Sequence, residues 1–131
     1  MKKVSLVIFE LLGISLGVDR LHYRKFFEDG SSIMRCNNYP PCSNSSLTLG
    51  TGPHCDPTSL TILHQDQVGG LEVFANNKWQ AIRPRPDVLV VNIGDTFTAS
   101  QFPFILIAAF INMSFLFLNC KDKTGIILFL E

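Results

Sequence analysis

Gly50-Thr51-Gly52-Pro53-His54-Cys55-Asp56-Pro57-Thr58-Ser59-Leu60-Thr61 is the stretch from which the chain is read outward. Side chains on extended backbone alternate with period two, so His54 and Asp56 point to the same side if this segment is a strand. An imidazole nitrogen and a carboxylate oxygen then converge on a point that a divalent ion can occupy. A second histidine from elsewhere would complete the two-His-one-carboxylate set of non-haem Fe(II) sites. Taken alone the tripeptide is short, and a surface His with a turn Asp before Pro57 is its plainer reading.

The flanking sequence carries more. Upstream stands Arg35-Cys36-Asn37-Asn38-Tyr39-Pro40-Pro41-Cys42. Downstream runs Leu60-Thr61-Ile62-Leu63-His64-Gln65-Asp66-Gln67-Val68-Gly69-Gly70-Leu71-Glu72-Val73, then Trp79 and Val91-Asn92-Ile93-Gly94-Asp95-Thr96-Phe97. In this order the motifs of residues 30–98 resemble the plant 2-oxoglutarate- and Fe(II)-dependent dioxygenases of the isopenicillin-N-synthase-like group, and within them the gibberellin 20-oxidases. The likeness extends weakly back to about residue 4 and ends near Ala99.

That resemblance implies a fold, cofactors and a site. The fold is mainly β, an incomplete double-stranded β-helix (jelly roll) behind N-terminal helices. Fe(II) would be held by His54 and Asp56, and the cosubstrate 2-oxoglutarate would be contacted by Tyr39 and Asn37. The substrate would be a small molecule, a gibberellin precursor, oxidised as 2-oxoglutarate is converted to succinate. Asn38 departs from the pattern, where relatives carry a second tyrosine. Counting along the family pattern, the third ligand falls at Phe110 and the Arg-x-Ser pair at Cys120 and Asp122; no histidine follows His64. A carboxylate cosubstrate without its arginine loses a bidentate, charge-assisted anchor. The family's N-terminal half is not in the sequence either. The expectation is therefore a chain that does not turn over as written, with a non-catalytic truncated remnant, or a product anchored in a membrane by its tail, as the alternatives.

Composition narrows the rest. The net charge is zero and the pI about 6.8, which offers nothing to nucleic acid or to an anionic membrane. Four cysteines (Cys36, Cys42, Cys55, Cys120) form no C-x-x-C pair. A zinc site from Cys36, Cys42, His54 and Cys55 fits no common spacing, so they read as reduced thiols of a cytoplasmic protein.

Along the chain, Val4–Leu16 reads as a largely buried helix with Val4, Val7, Ile8, Leu11, Ile14 and Val18 on one face, Leu6, Phe9 and Leu12 widening it, and Gly17 placed to end it. Its basic start and Ser15-Leu16-Gly17 also suit a signal peptide, which Glu10 in the apolar run argues against. Asp19 suits the N-cap of a second helix, Arg20–Glu28. His22 on that helix carries no chemistry. Strands are expected at 33–39, 60–65, 71–75, 78–82 and 88–93, with Asn76-Asn77 and 83–87 as hairpin turns. His64 shares a face with Leu60 and Ile62 and reads as a core or rim residue. Gly69-Gly70 reads as a turn, Trp79 as core, and Asn92 and Asp95 as structural hydrogen-bonders beneath the site. The domains are thus 1–30, a helical lead-in; 31–99, a partial jelly roll; and 100–131, an apolar tail outside the family. Within the tail 102–118 is long enough to suggest a membrane span. Asn112 near its centre and the marginal length count against a span, and the preferred reading is translated intron, which leaves a tail never shaped to pack on the roll, ill-defined or a helix lying loosely on exposed sheet.

Overall fold

The computed structural model describes residues 2–44, 47–100, 116–119 and 125–130. It divides into a helical unit, up to Ile33, and a β unit, from Met34 onward.

In the helical unit α1 spans Lys2–Ser15. Its inward face is the reverse of the one expected from the apolar pattern. Leu6, Phe9, Glu10 and Gly13 are buried, whereas Val4, Val7, Leu11 and Ile14 stand exposed. Three contacts choose this face over the greasier one. Glu10 takes Arg20 through Oε2 and Arg24 through Oε1, both at 2.5 Å. Phe9 stacks on Phe27 with ring centroids 4.1 Å apart. A Cβ on Gly13 would lie 3.0 Å from the carbonyl oxygen of Asp19, so only glycine lets the 19–20 turn come this close. Gly17, at φ 73°, ends α1 as expected. Val18 N–H donates to Gly13 O and Gly17 N–H to Ile14 O, the paired bonds of a Schellman cap. The second helix is shorter than the sequence suggests. Asp19 Oδ1 accepts from Leu21 N–H at 2.9 Å, but residues 20–23 form turns and α2 covers only Arg24–Phe27.

The β unit holds β1 (Met34–Tyr39), β2 (Leu49–His54), β3 (Leu60–Gln65), β4 (Leu71–Ala75), β5 (Lys78–Ala81), β6 (Val90–Ile93), the short α3 (Asp95–Ser100), β7 (Leu116–Asn119) and β8 (Gly125–Leu130). Two four-stranded sheets result, ordered β1-β8-β3-β6 and β2-β7-β4-β5. This is the jelly-roll arrangement expected. β3 is its most buried strand, with Thr61, Ile62 and Leu63 almost without exposure, and Leu63 packs with Leu71 beside Tyr39, Ile82 and Val90. Gln65, also buried, accepts from Leu71 N–H and donates to Ile82 O, tying the end of β3 to the start of β4.

The turns follow their residues unequally. Asn76 and Asn77 both take positive φ (53° and 62°), which a two-residue turn between antiparallel β4 and β5 demands and asparagine tolerates. Gly69 and Gly70 are likewise positive, in the link from β3 to β4. Residues 83–87 are not a hairpin. β5 lies in one sheet and β6 in the other, so the segment crosses between sheets. Pro84 and Pro86, lacking N–H donors, suit such a passage better than a ladder.

β2 makes the backbone extended up to His54, as the His54–Asp56 reading presupposes, although Gly50, Gly52 and Pro53 are poor strand formers. Its pairing with β7 is irregular, with register shifts between Leu49, Thr51 and His54. Of the apolar tail two short segments are described as strands. β7 pairs with both β2 and β4, and β8 stands between β1 and β3. Runs of Leu, Ile and Phe are strong strand formers, and the β2, β4, β1 and β3 edges offer unpaired N–H and C=O groups. The span suggested at 102–118 falls mostly outside the described residues, its last three lying in β7. Among the described residues no helix is long and apolar enough to cross a membrane.

Candidate metal and cosubstrate site

His54 ends β2 and is the more exposed of the two predicted ligands, with 39% of its side chain accessible. Its Nδ1 lies 2.9 Å from the carbonyl oxygen of Gly52. A carbonyl can only accept, so Nδ1 carries the proton and Nε2 presents a lone pair. This is how a metal-binding imidazole is usually fixed. Nε2 faces Asp56 Oδ1 at 3.6 Å, too long for a hydrogen bond. One ion at about 2.1 Å from each atom, the usual bond length of a first-row divalent ion on N and O, fits that separation.

Asp56 is held from below. Its Oδ2 accepts from the side-chain amide of Asn92 at 3.2 Å, and its carbonyl oxygen accepts from Asp95 N–H at 2.8 Å. Gly94 N–H donates to Ser59 O, Thr96 N–H to Thr58 O, and the Thr96 hydroxyl to Pro57 O. Every residue from Asp56 to Ser59 thus gives its carbonyl oxygen to the 94–96 segment. The approach is so close that a Cβ on Gly94 would lie 2.9 Å from Asp56 O, 2.7 Å from the Thr58 carbonyl carbon, and closer still to its oxygen. Asn92 and Asp95 were expected as hydrogen-bonders beneath the site; the glycine between them was missed. Its only signal in the sequence is position, immediately after a strand and before Asp95.

Tyr39 and Asn37 form a second group on β1. Asn37 Nδ2 donates to Tyr39 Oη at 3.2 Å, and that oxygen stands 3.5 Å from Thr51 Oγ1 on β2. The hydroxyl therefore lies between strands of different sheets, and its ring packs on the Leu63–Leu71 core. Thr51 is a partner the sequence did not announce.

Other predicted positions are displaced from this chemistry. His64 Nε2 donates to Pro86 O at 3.3 Å and lines a cleft of about 340 Å³ with Asp66, Pro84 and Arg85, a cleft that includes none of His54, Asp56, Asn37 and Tyr39. Trp79, expected in the core, is 38% exposed at a turn-proximal position on β5 and meets Phe74 edge-on at 5.2 Å. Cys42 is disulfide-bonded, so the reading of four reduced thiols does not hold. Cys36 and Cys55 are free. Burial first, then the charges of Asp95 and Asp56, push the Cys55 thiol above its usual range, which keeps it protonated between the two candidate ligands. Phe110, Cys120 and Asp122 lie outside the described residues. Among the described residues no three His, Cys, Asp or Glu side chains gather closely enough to hold a metal. His54 and Asp56 are a pair.

The family model of the 2OG-Fe(II) oxygenase superfamily matches residues 30–104. Gibberellin 20 oxidase 2 of Arabidopsis thaliana is 67% identical over 99 residues, which is 76% of this chain and 26% of that protein. Gibberellin 20 oxidase 1-B of Triticum aestivum is also 67% identical over 99 residues, 76% of this chain and 27% of its own length. The chain thus spans about a quarter of the curated relatives it matches. Among solved structures, JOX2 in complex with 2OG, Fe and JA superposes with a TM-score of 0.83 at 30% identity, covering 98% of this chain and 37% of that one. The dioxygenase for auxin oxidation in rice gives 0.82 at 25% identity, covering 99% and 42%.

Proposed function

The chain belongs to the 2OG-Fe(II) oxygenase superfamily, and on that premise we propose that it carries one part of an Fe(II)- and 2-oxoglutarate-dependent site for oxidising a gibberellin precursor. The observation that carries this reading is the His54–Asp56 pair, with Nε2 and Oδ1 3.6 Å apart on a segment shared with the gibberellin 20 oxidases.

Each residue has a role that follows from its partners. The Gly52 carbonyl keeps the His54 proton on Nδ1, so Nε2 is the ligand atom. Asp56 supplies the charge through Oδ1. The Tyr39 oxygen accepts from Asn37 and stands 3.5 Å from Thr51 Oγ1; turned away from Thr51, its hydroxyl proton would donate to a carboxylate oxygen of 2-oxoglutarate. Bound Fe(II) with 2-oxoglutarate supplies the oxygen-activating chemistry, and the protein's share is ligation, orientation and exclusion of water.

Turnover by this chain alone is not expected. Its histidines are three, His22, His54 and His64. The first is exposed on the helical unit, and the last is bonded to Pro86 O. Two protein ligands hold a metal weakly, since losing about 3 kcal/mol costs roughly a hundredfold in affinity. The test is a graft. The 99-residue matching segment replaces its counterpart in the Arabidopsis relative, and succinate release with a gibberellin precursor is measured for the graft and for the free chain. The graft should turn over and the free chain should not. A folded but inactive graft contradicts the proposed function. Succinate released by the free chain contradicts the two-ligand account.

A further inference from the structure

Asp56 has two carboxylate oxygens, and the structure treats them differently. Oδ1 faces His54; Oδ2 is taken by Asn92. Asn92 is buried on β6, directly opposite Thr61 of the buried strand β3, so its side chain has little room to turn. Its amide donates to that carboxylate oxygen at 3.2 Å, and among the described residues no buried side-chain polar atom lacks a partner. The backbone beneath is fixed independently by the bonds from 94–96, so the Asn92 amide is not needed to hold the loop. It acts on the orientation of the carboxylate.

We propose that Asn92 is a positioning residue for the metal site: by occupying Oδ2 it makes Asp56 a one-oxygen ligand and aims Oδ1 at the point shared with His54 Nε2. This rests on the reading of His54 and Asp56 as ligands. A carboxylate free at both oxygens can bind an ion in bidentate fashion and fill an extra coordination position. In an oxygenase that position has to stay open for cosubstrate and oxygen. Hydrogen-bonded supports of this kind typically change metal affinity by about 10–100-fold when removed.

Co(II) is the probe, because its visible d–d absorption changes with the ligands around it. Asn92→Leu removes the amide at nearly constant volume. Thr61→Val perturbs the same buried layer without touching the carboxylate. His54→Ala and Asp56→Ala test the underlying pair. Melting temperature is followed for all of them. Asn92→Leu should bind Co(II) about 10-fold more weakly, with a shifted d–d spectrum as the freed Oδ2 takes a position otherwise filled by water. Thr61→Val should lower the melting temperature and leave the spectrum unchanged. A parent-like affinity and spectrum in Asn92→Leu, alongside lost binding in His54→Ala and Asp56→Ala, overturns the role of Asn92 and leaves the pair standing. A spectrum that changes equally in Thr61→Val and Asn92→Leu reduces Asn92 to packing and overturns the proposal too. Unchanged binding in His54→Ala and Asp56→Ala removes the ligand reading itself.

Discussion

The molecule shields two carboxylates from water and treats them in opposite ways. Glu10, in the helical unit, has a side chain 7% exposed and gives each oxygen to a guanidinium group. Asp56, in the β unit, is 11% exposed and receives one neutral amide, with its second oxygen left facing an imidazole across 3.6 Å. A carboxylate satisfied on both sides has no remaining use for a cation. One satisfied on a single side, by a neutral group, keeps its charge available. Buried charge ordinarily requires compensation. Glu10 finds it within its own unit; on the proposed reading Asp56 would find it in a bound ion. The supports differ correspondingly: two arginine side chains for the first, and a run of backbone bonds built on one glycine for the second.

Breaking the backbone support should have the largest effect. In Gly94→Ala the new methyl collides with the carbonyl groups of Asp56 and Thr58, which are backbone and cannot swing aside. The expected loss is about 4 kcal/mol or more, in the range of exceptional single substitutions, read from chemical denaturation. The equivalent change at Gly52, where a Cβ meets nothing within 4 Å, should be tolerated far better despite lying beside His54.

Removing core beneath the site comes next. Leu63→Ala, at a position with no exposure, should cost about 2–5 kcal/mol. Leu49→Ala, half exposed on β2, should stay within about 0.5 kcal/mol. Near-equal losses would mean that β2 and β3 support the site alike, against the asymmetry described here.

The smallest effect sharpens the Glu10 side. The hydrogen bonds from Arg24 and then Arg20 hold the Glu10 carboxyl below the usual glutamate range. A depressed carboxyl contributes stability that is fully present above its unfolded pKa and is lost as pH falls through the folded one. The parent should therefore hold its melting temperature from neutral pH down to the ordinary glutamate range and decline below it. Glu10→Gln should flatten that decline. Asp87, lowered by Arg85, titrates in the same sense and remains in both proteins as the residual slope. A variant with an unchanged acid limb would show that the Glu10 cluster contributes nothing to it.

How legible all this was in the sequence varied with the physical signal. β3 and β4 were readable to the residue, because continuous or alternating apolar runs between turn-formers are the strongest strand signal. Asn76-Asn77 was readable because the turn demands positive φ and asparagine supplies it. The face of α1 was misread, since apolar periodicity favours Val4, Val7, Leu11 and Ile14, whereas the buried Glu10 obeys partners ten and fourteen residues away. The crossing at 83–87 was misread as a hairpin because it depends on which sheet a strand joins, a tertiary fact. At the site, the His-x-Asp spacing and the Asn37–Tyr39 motif were visible. The Gly94 approach and the Thr51 partner were not, because each is set by a segment distant in sequence.

The most direct test of the central claim, that His54 and Asp56 converge on one cation, is a crystal of the chain soaked in Mn(II) and read by anomalous scattering. The account predicts a single peak about 2.1–2.3 Å from both His54 Nε2 and Asp56 Oδ1, with Asp56 Oδ2 still on Asn92 and the remaining coordination positions filled by water. A peak bound by Asp56 through both oxygens and not by His54, or one at a different cluster altogether, would contradict it.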